Sequence, residues 1–167
     1  MFFVVLGLYT PVSADISLPS IFSDNMVIQQ NAKIKLWGKA NEGERVDVAI
    51  RQNSRVVGEV ITNAQAGKWK VELDPLKGGP ESFEISIKGN NLITLKKILI
   101  GEVWIVAGQS NMQFPLMNVE NSKAMIADAA NRPDIRIFFQ ESAKPAPEPR
   151  DDVFGGHWDV GTSDKVK

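Results

Sequence analysis

A serine hydroxyl attacks a carbonyl only when the backbone lifts it clear of its neighbours and a base stands within reach. In this 167-residue chain the triplet Gly108-Gln109-Ser110 is the one segment that suggests such chemistry. It follows directly on Ile98-Leu99-Ile100-Gly101-Glu102-Val103-Trp104-Ile105-Val106-Ala107. That run is dense in β-branched and apolar residues, the composition of a strand covered on both faces, as in a parallel sheet. A serine just past the C-terminal end of such a strand sits where open α/β sheets take ligands. Gly108 has no Cβ and permits a sharp turn that would raise the hydroxyl out of the sheet. The backbone N–H of Ser110 could then face an oxyanion. A Gly-x-Ser triplet also arises often by chance and more usually marks a plain turn, and the residues alone leave both readings open.

The neighbours divide in the same way. Gln109 and Asn111 either shape an acyl pocket or hold the turn through hydrogen bonds to backbone. The nucleophile elbow of α/β-hydrolases needs a second glycine two residues after the serine; Met112 stands there instead, which argues against that fold. Glu102 has the chemistry of an acid catalyst, but it precedes the predicted end of the strand and reads as a structural hydrogen-bond partner. His157, the single histidine, sits in a glycine-rich stretch and reads as an ordinary surface or half-buried residue. Trp37, Trp69 and Trp104 could stack on sugar rings, yet each falls within strand periodicity, so core packing is expected. Trp158 is open between the two. Met112, Met117 and Met125 are expected in the core.

The positioning elements come in two kinds. From Asp15 to about Leu99, short period-2 segments alternate with turn residues: Ala32–Leu36, Val46–Ile50, Val56–Thr62, Trp69–Leu73, Phe83–Ile87 and Leu92–Leu95. This spacing predicts an antiparallel β-sandwich over 15–99. After residue 99 the order becomes a buried strand, the Ser110 loop, a helix capped by Asn121 and stopped by Asn131 and Pro133, and a strand over Ile135–Phe139. That order opens an α/β unit, and 100–167 is expected to be its incomplete N-terminal part. Glu141 to Gly156 reads as a surface loop, Trp158–Val160 as a short extended piece, and Ser163 as the cap of a further helix. Apolar Val103, Ile105, Ile137 and Phe139 are expected to be exposed in so short a unit, which favours self-association.

Composition narrows the functional classes. Nineteen Lys and Arg against 20 Asp and Glu give a net charge of −1, and no basic run offers a path for phosphates, so nucleic acid is not an expected partner. The absence of cysteine excludes disulfides and thiolate-bound metals. Phe2–Tyr9 is an apolar run too short to span a bilayer at ~20 residues. It leads through Pro11 to Val12-Ser13-Ala14, a small-residue pattern suited to signal peptidase, though no positive residue precedes it. Residues 1–14 therefore read as a signal-peptide remnant, with a buried strand as the alternative. Export to the periplasm or the extracellular space is expected, with no membrane attachment after cleavage.

Two blocks together resemble a known family. Gly101-Glu102-Val103-Trp104 leading into Gly108-Gln109-Ser110-Asn111-Met112 resembles the nucleophile block of the sialate O-acetylesterases, within the SGNH hydrolases. Far upstream, Ile21-Phe22-Ser23-Asp24-Asn25-Met26-Val27-Ile28-Gln29-Gln30 followed by Leu36-Trp37-Gly38 resembles the opening of the same family's N-terminal β-domain. The stretch Trp158–Lys167 also fits, so the resemblance runs from Asp15 to Lys167.

The resemblance implies an SGNH-type, flavodoxin-like α/β domain after the sandwich and a serine esterase acting on O-acetylated sugars. Ser110 would be the nucleophile and supply one oxyanion N–H. A late Asp-x-x-His block would supply the base and its orienter, and glycine and asparagine blocks would complete the oxyanion hole. No metal or other cofactor is implied. Of these parts only the serine block is present: the residue three before His157 is Phe154, not aspartate. The chain alone is accordingly expected to lack appreciable esterase activity. Sialic acid, xylan and other acetylated glycans fit equally. The alternative is a non-catalytic carbohydrate-binding or structural β-sandwich module.

Overall fold

The computed structural model describes residues 15–129, 131–140, 147–150, 152–153 and 155–161, the side chains of Met112 and Gln113 excepted. The leader read at 1–14, the cap read at Ser163 and much of the 141–156 loop lie outside the described residues. The protein is rich in strands, with one short α-helix among the described residues. The strands are β1 (Val27–Gln29), β2 (Ile34–Lys39), β3 (Arg45–Gln52), β4 (Arg55–Asn63), β5 (Lys68–Leu73), β6 (Phe83–Lys88), β7 (Leu92–Gly101), β8 (Arg136–Phe139) and β9 (His157–Val160). The helix α1 covers Ser122–Ala129.

Period-2 alternation dictates which way each strand faces. Ile34, Leu36 and Gly38 of β2 point inward, as do Trp69, Val71 and Leu73 of β5. Val46, Val48 and Ile50 of β3, with Phe83, Ile85 and Ile87 of β6, do the same. One sheet runs β1-β7-β6-β3-β4 and a second pairs β2 with β5. Their inward residues meet in one hydrophobic cluster. Each fully buried aliphatic side chain in it contributes about 1.5–3 kcal/mol relative to exposure.

Turn chemistry joins the strands. Asn53 and Ser54, at φ 48° and 66°, form the two-residue β3–β4 hairpin that matches the twist of its strands. Ala66 and Gly67, at φ 51° and 74°, do so between Gln65 and Lys68.

Two features depart from the expected antiparallel arrangement. The five-stranded sheet is mixed, because β1 pairs with β7 in parallel, Val27 opposite Leu99 and Gln29 opposite Gly101. A three-residue strand carries no readable period, and the long chain between the two permits parallel pairing. Second, β7 carries a bulge. Phe83 pairs with Ile98 and Ile85 with Leu95, and Lys97 takes φ 56°. The extra residue returns Ile98 and Ile100 to the core side after exposed Lys96 and Lys97.

The segment after Gly101 also differs from expectation. The strand read through to Ala107 stops at Gly101; Trp104 is 82% and Ile105 93% exposed. A strand needs a neighbour for its N–H and C=O groups, and β1, the parallel neighbour of β7, ends opposite Gly101. β8 forms within the strand read over Ile135–Phe139 and pairs antiparallel with β9; Ile137 and Phe139, like Val103 and Ile105, are exposed, as expected of so short a unit. Met117 and Met125 are exposed rather than in the core. The helix forms where expected. Asn121 precedes it, and its carbonyl accepts from the N–H groups of Ala124 and Met125.

Gly38 lies across the ladder from Trp69, and a Cβ there would run into the Ser17 carbonyl and the Trp69 indole. Gly38→Ala is expected to lower unfolding stability by about 1–3 kcal/mol in a denaturant titration; an unchanged midpoint would show that the indole has room to move.

Glu44 ties two loops together. Its carboxylate accepts from the Asn90 N–H at 2.8 Å, and from the N–H and side-chain amide of Asn41 at 3.0 and 2.9 Å. The Asn90 bond chiefly, helped by Asn41 and opposed by partial burial, holds the Glu44 carboxyl below its ordinary value. A depressed folded-state pKa stabilises the fold fully above the unfolded-state value, and that stabilisation is lost as pH falls through the folded value. The stability gap between wild type and Glu44→Gln is therefore expected to be constant above about pH 5 and to narrow below it. Urea titrations at stepped pH measure that gap.

Candidate active site

Strand β7 releases the chain toward Ser110, and two glutamines at the end of β1 govern how it leaves. Gln29 Nε2 donates to Glu102 Oε2 at 3.1 Å, and Gln30 Nε2 donates to Glu102 Oε1 at 2.6 Å. The other ends of the same amides accept: Gln29 Oε1 from the Val103 N–H at 2.9 Å, and Gln30 Oε1 from the Gly78 N–H at 3.1 Å. The Gln30 N–H completes the clamp by donating to the Gly101 carbonyl at 2.8 Å. Donation by Gln30, then Gln29, lowers the Glu102 pKa from its ordinary value. Glu102 thus serves as a structural hydrogen-bond partner, as its position suggested, although it lies just past the end of β7 rather than inside a strand.

Beyond the clamp, Gly108, Gln109, Ser110 and Asn111 are all exposed. Ser110 opens a single 3₁₀ turn, Ser110–Gln113, and Gln109 before it is extended at φ −94° and ψ −155°. The Gln109 side chain makes no capping hydrogen bond to the turn. The Asn111 carbonyl accepts from the Phe114 N–H, closing the turn.

His157 stands on β9 with half of its side chain exposed, and its Nε2 lies 2.9 Å from Asp159 Oδ2. Residues two apart on a strand share a face, so Asp159 was readable as its neighbour from spacing alone. Among the described residues no hydrogen bond joins Ser110 to His157. Trp158, open in the sequence, acts as an anchor: its Nε1 donates to the Ile21 carbonyl at 2.8 Å, and its ring packs against Phe138 at 5.4 Å.

The other tryptophans separate. Trp69 is 3% exposed and belongs to the core, whereas Trp104 is open and Trp37 stands on an outer sheet face, contrary to the packing expected of both. Among the described residues no group of three or more His, Asp or Glu side chains is arranged to hold a metal ion, and no helix is long and apolar enough to cross a membrane.

No protein-family model matches the chain. Sialate O-acetylesterase from Homo sapiens is 32% identical over 152 residues, a match taking in 81% of this chain and 29% of that protein. The chain belongs to a sialate O-acetylesterase-like family. The Mus musculus sialate O-acetylesterase is 32% identical over 128 residues, covering 71% of this chain and 23% of its own length. The crystal structure of a carbohydrate acetylesterase from Xanthomonas citri matches with a TM-score of 0.81 at 25% identity, over 91% of this chain and 34% of that one. The chain thus spans less than a third of the curated relatives it matches. The glutamine pair lies within the upstream block and Glu102 within the serine block that first suggested this family.

If the clamp sets the exit toward Ser110, Gln29→Ala should speed hydrogen exchange at the Val103 amide by about five- to tenfold, the worth of one hydrogen bond. The Ile85 amide inside β6 serves as an internal control. Unchanged exchange at Val103 would remove Gln29 from the positioning of this segment.

Proposed function

We propose that the whole protein to which this chain corresponds is a serine-dependent carbohydrate O-acetylesterase, with Ser110 as nucleophile. The observation that carries the reading is the exposed hydroxyl of Ser110 at the head of its 3₁₀ turn, within a family whose named members are sialate O-acetylesterases. The likeness to the Xanthomonas citri carbohydrate acetylesterase supports an acetylated carbohydrate as substrate class. Sialic acid, xylan and other acetylated glycans remain equal candidates.

In the proposed reaction, Ser110 Oγ bonds to the acetyl carbonyl carbon as the ester C–O bond to the sugar breaks. The serine proton passes through a base to the departing sugar oxygen. Water then attacks the acetyl-serine, releasing acetate and restoring the hydroxyl. In this reading the backbone N–H of Ser110, at the start of the turn, serves the oxyanion. Gly108, Gln109 and Asn111 take supporting roles around it. His157 is held by Asp159 and is not hydrogen-bonded to Ser110, which supports placing the base elsewhere. Among the described residues no histidine is hydrogen-bonded to the serine, and the proposal takes this chain by itself to be inactive.

The same reading takes 15–99 as a β-sandwich domain and 100–167 as the opening of an SGNH-type α/β domain. It takes 1–14 as a leader for export to the periplasm or the extracellular space.

Acetate release from an acetylated sialic acid and from acetylated xylan tests the proposal. This chain should be compared with a form extended to the length of its relatives. Activity is expected only in the extended form, and Ser110→Ala should lower it by about 10⁴-fold or more. Undiminished turnover in Ser110→Ala would remove the serine mechanism, and robust hydrolysis by this chain alone would overturn its proposed inactivity.

A further inference from the structure

The five-stranded sheet ends on β4, and among the described residues no strand pairs with the other edge of β4. An edge strand turns half of its N–H and C=O groups outward, where another strand can take them up. Shortness, lysine or proline commonly guards such an edge. β1, at the opposite end of the same sheet, is three residues long, and the ribbon strands carry Lys35, Lys39, Lys68 and Lys70. β4 runs nine residues without lysine or proline, and its charged residues are Arg55 and Glu59. Val56, Val57 and Ile61 are exposed on it, Ile61 by 55%.

A bulge limits how much of this edge is regular. Ile50 pairs with Gly58 and Arg51 with Val56, which leaves Val57 as the extra residue and bends the strand there. The regular stretch is 58–63. Along it Gly58, Val60 and Thr62 turn toward the second sheet, Gly58 against the Leu73 side chain and Val60 against the core. Glu59, Ile61 and Asn63 turn the other way and are exposed.

We propose that this edge pairs with the same edge of a second copy of the chain, antiparallel about a two-fold axis at Ile61. Opposed residues in a ladder share a face, so the axis must pass through a residue and not between two. Centred on Glu59, it would set two carboxylates against each other, which is destabilising. Centred on Val60, it would set Ile61 against a carboxylate, and centres nearer either end of 58–63 shorten the overlap. Centred on Ile61, it pairs Ile61 with itself, Val60 with Thr62, and Glu59 with Asn63 on both flanks. The Asn63 amide N–H then donates to the Glu59 carboxylate of the second copy, and the two Ile61 side chains cover each other between these bonds. That self-complementarity singles out a second copy as the occupant. The isologous contact joins two five-stranded sheets end to end and satisfies both edges at once. Ser110 is not on β4, so the interface is independent of the esterase reading.

Sedimentation equilibrium of the 167-residue chain tests the pairing. A weak dimer is expected, with a Kd of about 10–100 μM for so short a contact. Ile61→Asp opposes two carboxylates at the axis and should raise that Kd by about tenfold or more. Ile105→Asp and Phe139→Asp alter exposed apolar residues beyond β7 and should leave it within about twofold. The chain has no cysteine, so the register can be read by cross-linking. Ile61→Cys sets two thiols face to face with Cβ atoms about 5 Å apart, within disulfide reach. It should cross-link under mild oxidation about tenfold faster than Glu59→Cys, whose thiols lie apart on opposite sides of the axis. Glu59 and Ile61 are both exposed, so the cysteine pair decides the matter if Ile61→Asp fails to fold. A monomer at about 500 μM overturns the proposal, as does an unaltered Kd in Ile61→Asp or equal cross-linking of the two cysteine variants. Dissociation by Ile105→Asp or Phe139→Asp would assign the contact to the apolar surface beyond β7 and sink the β4 interface.

Discussion

The way the chain leaves β7 depends on two glutamine side chains. A chain leaving the edge of a sheet must satisfy the backbone groups that the ladder no longer pairs. Here Gln29 takes the first of them, the Val103 N–H, while Gln30 and Gln29 together hold the Glu102 carboxylate. Each amide both donates and accepts, so neither can rotate without losing bonds at both ends. A carboxylate receiving two such donors is held in its charged form. This polar clamp joins residues more than 70 positions apart in sequence. It gives a physical reason for two distant blocks to occur together in one protein.

The β2–β5 ribbon shows how one register serves two faces. Inward, Gly38 opposite Trp69 leaves room for an indole that a larger residue would displace. Outward, the same register sets Trp37 against Lys70 and Lys39 against Lys68. A slip of one residue would exchange the faces, burying lysine and exposing Ile34, Leu36 and Val71. Packing inside therefore determines the charge pattern outside. The ion pairs at one end and the clustered lysines at the other share one structural cause.

The strands from Ile34 to Leu95 were legible because half-buried strands write their period directly into residue type. The helix at Ser122–Ala129 and the extended piece at Trp158–Val160 were legible for similar local reasons. Glu102 was recognisable as structural, but its partners were not, since nothing local links position 102 to positions 29 and 30. Trp37 and Trp104 were misread as core residues. Strand periodicity says that a residue lies on one face or the other, not which face finds cover. Val103–Ala107 failed for a related reason: an apolar run can form a strand only beside a neighbour that lends its hydrogen bonds.

Residue types and spacing by themselves determined the alternation of β2 to β6, the helix after Asn121 and the chemical candidacy of the exposed Gly108–Asn111 segment, because these follow from local backbone geometry and side-chain polarity. Tertiary structure alone decided the parallel seat of β1 against β7, the bulge at Lys97, the glutamine clamp on Glu102 and the register that sets Trp37 opposite Lys70. Each of those joins segments distant in sequence. Such contacts form only when the shared core fixes which strands are neighbours and in which register they pair.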